Sequence, residues 1–274
     1  MKIISMKVFI IILFILWAFM SVAWFVRYFS KKSGWIDVIW SLSIGLGGAI
    51  AAWGSTAVVD FTIRQTIVGA CVLIVSITLA YSIAKRTIKS GDDPRYANLE
   101  HQWGSDHKLR LYIFVQIQAA CGFVLCATVF LAANNPASFD RLWDWFFLSI
   151  IVVAIIGETI ADRQLSEFKN RDIDGSICDM GLWQLSRHPN YFFQWLFWLG
   201  IACLAINFNG EWLEGYIAII GPIMIYWLLV KVSGIPPLER HMLETRKQAY
   251  IDYQQRVPAF FPDIEKTLFL LTRQ

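Results

Sequence analysis

Charged residues are scarce in this chain of 274 residues. Asp, Glu, Lys and Arg together make up 16% of it, whereas hydrophobic residues make up 57%. A soluble domain carries about 25% charged residues, so this composition excludes an ordinary soluble enzyme. The net charge of +3 is small and the basic residues are spread along the chain, which argues against a nucleic-acid partner.

Cysteine and histidine are too few and too scattered for a disulfide framework or a metal centre. The chain has five cysteines and four histidines, and no two cysteines have the CxxC spacing. Four of the cysteines lie inside apolar runs, where they are expected to serve as small packing residues. P-loop, HExxH and GxSxG motifs are also missing. We therefore predict no metal.

Long apolar runs dominate what the chain does contain. Seven of them approach or exceed the length that crosses a hydrocarbon core of about 30 Å. Many of the 13 tryptophans and nine tyrosines lie at their ends, as in the aromatic belts of membrane proteins. In the second run, Gly45 and Gly48 begin small-xxx-small pairs, which are typical of closely packed helices. We predict an all-α, polytopic membrane protein forming a single integral membrane domain (1–274), with spans at roughly 8–26, 36–59, 67–84, 111–133, 143–161, 191–206 and 213–232.

The basic residues predict the orientation of these spans. If the chain changes sides at each span, 20 of the 24 lysines and arginines lie on the same side. The positive-inside rule makes that side cytoplasmic. We therefore expect a multi-pass protein of the inner (plasma) membrane, with its N-terminus outside and its C-terminal tail in the cytoplasm. The three stretches that hold almost all the charge, 85–110, 161–190 and 231–274, are then cytoplasmic.

Several polar residues lie where a membrane span should be apolar. Glu158 and Asp162 are four residues apart near the end of the fifth span, on one face of the helix. A carboxylate within a span costs on the order of 3 kcal/mol, which indicates a function unless the helix end snorkels to the interface. Asp37 begins the second span, where a catalytic acid and a plain helix-dipole acid are both possible. Tyr81 ends the third span, either as an interfacial belt residue or as a phenol that polarises a carbonyl.

The densest polar patch immediately precedes the sixth span. It brings a guanidinium, an imidazole, an amide and a phenol together within five residues: Arg187, His188, Asn190 and Tyr191. An interfacial helix cap needs fewer polar groups than this. Phosphate and adenine-ribose groups need this mixture, because Arg binds the charge, His and Asn bind hydroxyls, and Tyr stacks. The patch therefore favours an anionic ligand.

The tail carries a second polar segment. Gly234-Ile-Pro-Pro237 ends the last span, a helical pattern of mixed charge follows to Arg256, and Val257-Pro-Ala-Phe-Phe-Pro262 is apolar again. Together with ADRQ at 161–164 and GLWQLSRHPNYF at 181–192, this tail resembles the bacterial membrane family with the steroid 5-alpha-reductase C-terminal domain. The resemblance is close over 155–262 and loose before it. RHPxY alone is shared with isoprenylcysteine carboxyl methyltransferases and sterol reductases.

The resemblance implies a seven-helix fold with an NADPH site at the cytoplasmic ends of the later helices. Carried onto this chain, the family's cofactor residues fall on Asp162, Asn190 and tail positions near His241, Tyr253 and Arg256. With the residue-based candidates, the expected cofactor-binding set is Asp162, Lys169, Arg187, His188, Asn190, Tyr191, Arg240, His241, Tyr253 and Arg256. The steroid enzymes hold their acid and phenol in the second and third helices, and Asp37 and Tyr81 stand in for them here. The family's Gln-Glu pair is missing. Glu158, a carboxylate inside the fifth span, is a third catalytic candidate, and Tyr96 is a fallback acid.

These residues and the resemblance favour an NADPH-dependent reductase. Its expected substrate is an activated carbon–carbon double bond in a lipophilic, steroid-like or isoprenoid molecule that enters from the bilayer, with membrane lipids as partners. A surplus of cytoplasmic cations suits the 2′-phosphate of NADPH. The alternatives are an S-adenosylmethionine-dependent methyltransferase of a lipid-linked carboxylate and a non-catalytic membrane protein.

Overall fold

Helices account for the regular structure of the protein. The computed structural model describes residues 2–54, 61–89, 92–171 and 176–263, and no strand occurs among them. Six helical stretches of this described chain are long and apolar enough to cross a membrane. The α-helices are α1 (Lys2–Ser30), α2 (Gly34–Trp53), α3 (Ile63–Lys89), α4 (Pro94–Trp103), α5 (His107–Ala133), α6 (Leu142–Lys169), α7 (Pro189–Ala205), α8 (Ile220–Trp227) and α9 (Ile235–Arg256).

The predicted all-α, polytopic fold is confirmed. Helices α1, α2, α3, α5 and α6 carry the first five predicted spans, although residues 55–59 of the second lie outside the described residues. The sixth predicted span corresponds to α7, which at 17 residues is at the short limit for crossing a bilayer and is not among the six stretches. The seventh is composite: a 3₁₀ segment (Leu213–Ile219) leads into α8, and a π-helical turn (Leu228–Val232) follows it.

Internal contacts divide the chain into two compact units. Unit 1 consists of Met1–Leu148 and Trp198–Met224, and unit 2 consists of Ser149–Phe197 and Ile225–Gln274. Helices α6, α7 and α8 each contribute residues to both units.

Helix α2 is the centre of unit 1, where it packs against α1, α3 and α5. Its glycines allow the close approach. A Cβ atom on Gly48 would lie 2.6 Å from Val72 of α3, and one on Gly47 would lie 2.8 Å from the sulfur of Cys126 in α5. Small residues let helix backbones approach in lipid, where no hydrophobic force drives helices together. The glycine pattern of the second span therefore has a packing role.

Unit 1 also contains a buried ion pair, at the start of α3. Arg64, in the first turn of α3, donates to Asp144 of α6 at 3.0 Å, and their side chains are only 3% and 1% exposed. Arg64 also donates to the carbonyls of Ala137 and Leu204, and Arg141 donates to both oxygens of Asp144. The carboxylate of Asp144 thus joins the first turns of α3 and α6 to Arg141, which precedes α6.

We expect Asp144→Ala to destabilise the protein by about 3–5 kcal/mol, because it leaves a buried guanidinium without its counter-charge. The measurement is chemical unfolding in detergent micelles. Asp140→Ala is the matched control, since Asp140 is exposed and belongs to the same connecting segment. Equal unfolding free energies for the two variants would contradict the role of the ion pair.

In unit 2, the segment that follows α9 packs back against α7 and α8. After α9 the chain passes alongside residues 185–187, and Phe260 and Phe261 reach an aromatic cluster. The ring centroids within this cluster lie 5.1–6.2 Å apart. Its members are Phe192 and Trp195 of α7, Tyr226 of α8, Phe260 and Phe261. The apolar end of the tail is therefore packed against the membrane helices of its own unit.

Candidate functional site

A carboxylate at the start of α9 organises the polar patch of unit 2. Glu239 accepts hydrogen bonds from Arg187 at 2.7 and 3.2 Å, from His188 at 3.1 Å and from Gln254 at 2.8 Å. We call these four residues, Arg187, His188, Glu239 and Gln254, the clasp. Glu239 lies in the second turn of α9 and Gln254 near its end; the two can meet because the helix is broken at Lys247, whose φ of 46° is not helical. The clasp thus joins both ends of the tail helix to the turn before α7.

Arg187 is used mainly to hold the tail. Besides Glu239, its guanidinium donates to the carbonyls of Gln254 and Val257, and its backbone N–H donates to the carbonyl of Pro258 at 2.9 Å. Carbonyls at a helix C-terminus lack partners within the helix, and an arginine is a favourable donor to them. Four hydrogen bonds engage most of the five guanidinium N–H groups. Sequence reasoning expected this residue on an anionic ligand; the structure shows its bonds to the tail.

Further hydrogen bonds hold the tail independently of the clasp. Ser186 donates to the carbonyls of Ala259 and Phe260, and the backbone N–H of Asp263 donates to the carbonyl of Leu185. Tyr253, an expected cofactor residue, is buried and donates to the carbonyl of Trp183. Its hydroxyl therefore links α9 to the 3₁₀ turn (Gly181–Gln184) that precedes the polar patch.

His188 is buried, and its ring is held between Glu239 and Tyr191. It is 7% exposed. Burial lowers its pKa below the ordinary value, and this outweighs the hydrogen bond and charge of Glu239, which raise it. The imidazole ring stacks on Tyr191, with centroids 5.6 Å apart and planes 12° apart. Two of the expected ligand-binding rings thus form one flat pair.

Asp162 and Asn190, predicted from separate motifs, meet in unit 2. The amide of Asn190 donates to Asp162 at 3.1 Å, and its oxygen accepts from the backbone N–H of Tyr191 at 3.1 Å. The second bond fixes the orientation of the amide. Glu158 lies one turn away from Asp162 on α6 and is 7% exposed. Among the described residues, no hydrogen bond reaches its carboxyl group.

The remaining expected cofactor residues of unit 2 lie at or near its surface. Arg256 makes an exposed ion pair with Asp179 at 3.4 Å. His241 is half-buried on α9. The side chains of Lys169 and Arg240 are exposed, as is that of Arg171, a further basic residue just beyond the end of α6. The unit therefore offers solvent-facing cations in addition to the internally bonded Arg187.

Unit 1 holds a second polar cluster, around Asp37. Its carboxylate accepts from Arg95 at 2.6 Å and from the hydroxyl of Tyr96 at 2.7 Å, and Gln118 of α5 donates to that same hydroxyl at 3.1 Å. Arg95 also pairs with Asp93, which caps α4. Burial raises the pKa of Asp93, but the hydrogen bonds and charge of Arg95 leave it below its ordinary value.

The phenol beside Asp37 is Tyr96, which the sequence indicated only as a fallback acid. Tyr96 is 4% exposed, whereas Tyr81, the phenol that the sequence placed with Asp37, is 68% exposed on α3. Glu239 was missed because the sequence shows it only as one of several charges in the mixed-charge helix of the tail.

Metal-ligating side chains do not converge in the described part of the chain: no group of three His, Cys, Asp or Glu residues there could hold an ion.

Most of the chain matches a known protein family. Residues 23–257 match the model of a family described as protein of unknown function (DUF1295). The chain belongs to this family. No curated protein matches it, and no solved structure does. The DUF1295 match contains the Asp37 cluster, the Asp162–Asn190 pair and the clasp, so every polar site described above lies within the family region.

The burial of His188 makes the stability of this DUF1295 protein depend on pH. Its folded pKa lies below the unfolded value of about 6.5, so the unfolded chain takes up the proton first as the pH falls. The stability that buried His188 contributes is therefore present above about pH 6.5 and declines below it. We expect His188→Gln to show a smaller drop in melting temperature between pH 7.5 and pH 5.5 than the wild type, measured in detergent. An unchanged drop would show that His188 is not the group responsible.

Proposed function

We propose that this protein is a membrane-embedded, NADPH-dependent reductase of an activated carbon–carbon double bond in a lipophilic substrate, such as a steroid-like or isoprenoid enone. The observation that carries the proposal is the meeting of Asp162 with Asn190, next to the stacked rings of His188 and Tyr191. The resemblance to the steroid 5-alpha-reductase C-terminal domain supports it, because its cofactor motif falls on the same residues.

The side chains of unit 2 fit the chemistry of a dinucleotide. Asp162 can accept from ribose hydroxyls or a carboxamide, and Asn190 can both donate and accept. Arg171 and Arg240 are exposed cations suited to phosphate groups. The stacked face of Tyr191 and His188 suits an aromatic ring. Arg187 holds the tail beside this set. NADPH bound there would supply a hydride.

Glu158 is the acid that unit 2 offers. Reduction of an enone adds a hydride to the β carbon and a proton to the α carbon, while negative charge develops on the carbonyl oxygen. Glu158 is a buried carboxyl group on the helix that carries Asp162, and an ionisable residue inside a membrane span indicates a function. We assign it the proton. The Asp37–Tyr96 pair of unit 1 is the other acid that a mechanism could use, with Tyr96 as donor and Asp37 as its support.

The proposed setting is the inner membrane, with the clasp and the tail on the cytoplasmic side, where NADPH is available. The distribution of basic residues supports this orientation. Apolar side chains exposed along the spans give the protein a surface in contact with lipid, so a lipophilic substrate can approach from the bilayer.

Cofactor binding is tested by titrating the detergent-purified protein with NADPH, NADH and S-adenosylmethionine. We expect NADPH to bind most tightly, and Asp162→Asn to weaken it by roughly 1–3 kcal/mol, because a charged hydrogen-bond acceptor is lost. Glu167→Gln is the matched control, since Glu167 is an exposed acid on the same helix. Equal affinity for NADPH and NADH, or tight binding of S-adenosylmethionine alone, would overturn the proposal.

The proton donor is tested by single-turnover oxidation of NADPH with an enone substrate. We expect Glu158→Gln to slow the reaction by roughly 10²-fold or more, the usual effect of losing a general acid, while NADPH affinity stays near that of the wild type. Tyr96→Phe and Asp37→Asn test whether the Asp37–Tyr96 pair supplies the proton instead, and Tyr81→Phe tests whether the exposed phenol does. Tyr216→Phe is the control, since Tyr216 is exposed and outside every polar site. A wild-type rate for Glu158→Gln would move the assignment to whichever variant is slow.

A further inference from the structure

We propose that Glu239 is a positioning residue of the dinucleotide site, acting through His188 to orient the stacked face of Tyr191. This role rests on the proposed function. Neither the motifs nor the resemblance points to Glu239, and the proposal comes from its contacts in unit 2.

The site demands a carboxylate at position 239. Four N–H groups, two from Arg187 and one each from His188 and Gln254, converge on the two oxygens of Glu239. An ionised carboxylate only accepts hydrogen bonds, so it can satisfy all four. A glutamine at position 239 would keep the shape of the side chain. Its NH₂ group, however, is itself a donor and could not accept the N–H groups that point at it.

The contact with His188 sets both the tautomer and the plane of the ring. An ionised carboxylate only accepts hydrogen bonds, so the Nε2 atom of His188, 3.1 Å from Glu239, carries the proton that is donated. In the neutral ring the other nitrogen is then an acceptor. Held by Glu239 at its edge, the ring lies parallel to Tyr191. Asn190, between these two residues in the chain, bonds to Asp162.

The tail does not depend on Glu239 alone. Ser186, Tyr253 and the aromatic cluster hold it by separate contacts, and Arg187 still reaches the carbonyls of Gln254 and Val257. Loss of the carboxylate should therefore disturb His188 and Tyr191 without releasing the tail. This separates a positioning role from a general structural one.

The experiment compares NADPH affinity for Glu239→Gln, Glu239→Asp and the control Glu244→Gln, with melting temperatures measured in parallel. Glu244 is an exposed acid on the same helix. We expect Glu239→Gln to bind NADPH about tenfold more weakly, the effect of about 1.4 kcal/mol. Glu239→Asp should recover part of the loss, because it restores the carboxylate. Glu244→Gln should bind as the wild type does.

A double-mutant cycle with His188→Ala tests whether Glu239 acts through the imidazole. If it does, the variant carrying both changes binds NADPH no more weakly than His188→Ala alone. Losses that multiply would overturn the proposal, as would wild-type affinity for Glu239→Gln. Failure of the wild type itself to bind NADPH would instead overturn the proposed function, and the role of Glu239 with it.

Discussion

Burial of polar groups away from water, in the bilayer or under packed side chains, is the constraint on which the rest of this structure depends. Water cannot satisfy such a group, so it needs a partner within the protein or a function that repays its cost. In unit 1, Arg64 finds Asp144, and Asp37 finds Arg95 and Tyr96. In unit 2, the clasp gathers its donors on Glu239. Against this background, Glu158 stands out as a buried carboxyl group that receives no hydrogen bond from the described residues.

The same constraint divides the basic residues of unit 2 into two groups. Arg187 is bound internally, where its fork of N–H groups joins a carboxylate to the end of a helix. Arg171 and Arg240 face outwards and can meet an incoming anion. A count of cations near a motif therefore overestimates those available to a ligand. In the proposed cofactor site, the exposed arginines bind the phosphate groups and Arg187 holds the tail in place.

Sequence reasoning grouped residues that meet in the structure where they are neighbours in the chain. His188, Asn190 and Tyr191 were named together because they lie within four consecutive positions, and Asp162 because it belongs to a second recognisable motif. Pairs that are distant in the chain were not grouped. Asp37 and Tyr96 are 59 residues apart, and Arg187 and Glu239 are 52 apart. No periodicity within a helix relates such positions, so Tyr81 was a reasonable choice of phenol and Glu239 had no visible partner.

The sequence by itself determined that this is an all-α membrane protein, which segments are apolar enough to span, and where its polar residues concentrate. These properties follow from composition and from the length of apolar runs, both of which are local. Tertiary structure decided which polar groups meet: that Tyr96 serves Asp37, that Arg187 holds the tail, and that Glu239 joins the two ends of α9 to His188. The physical reason is that a hydrogen bond acts over about 3 Å. Only the packing of whole helices brings residues more than 50 positions apart within that reach.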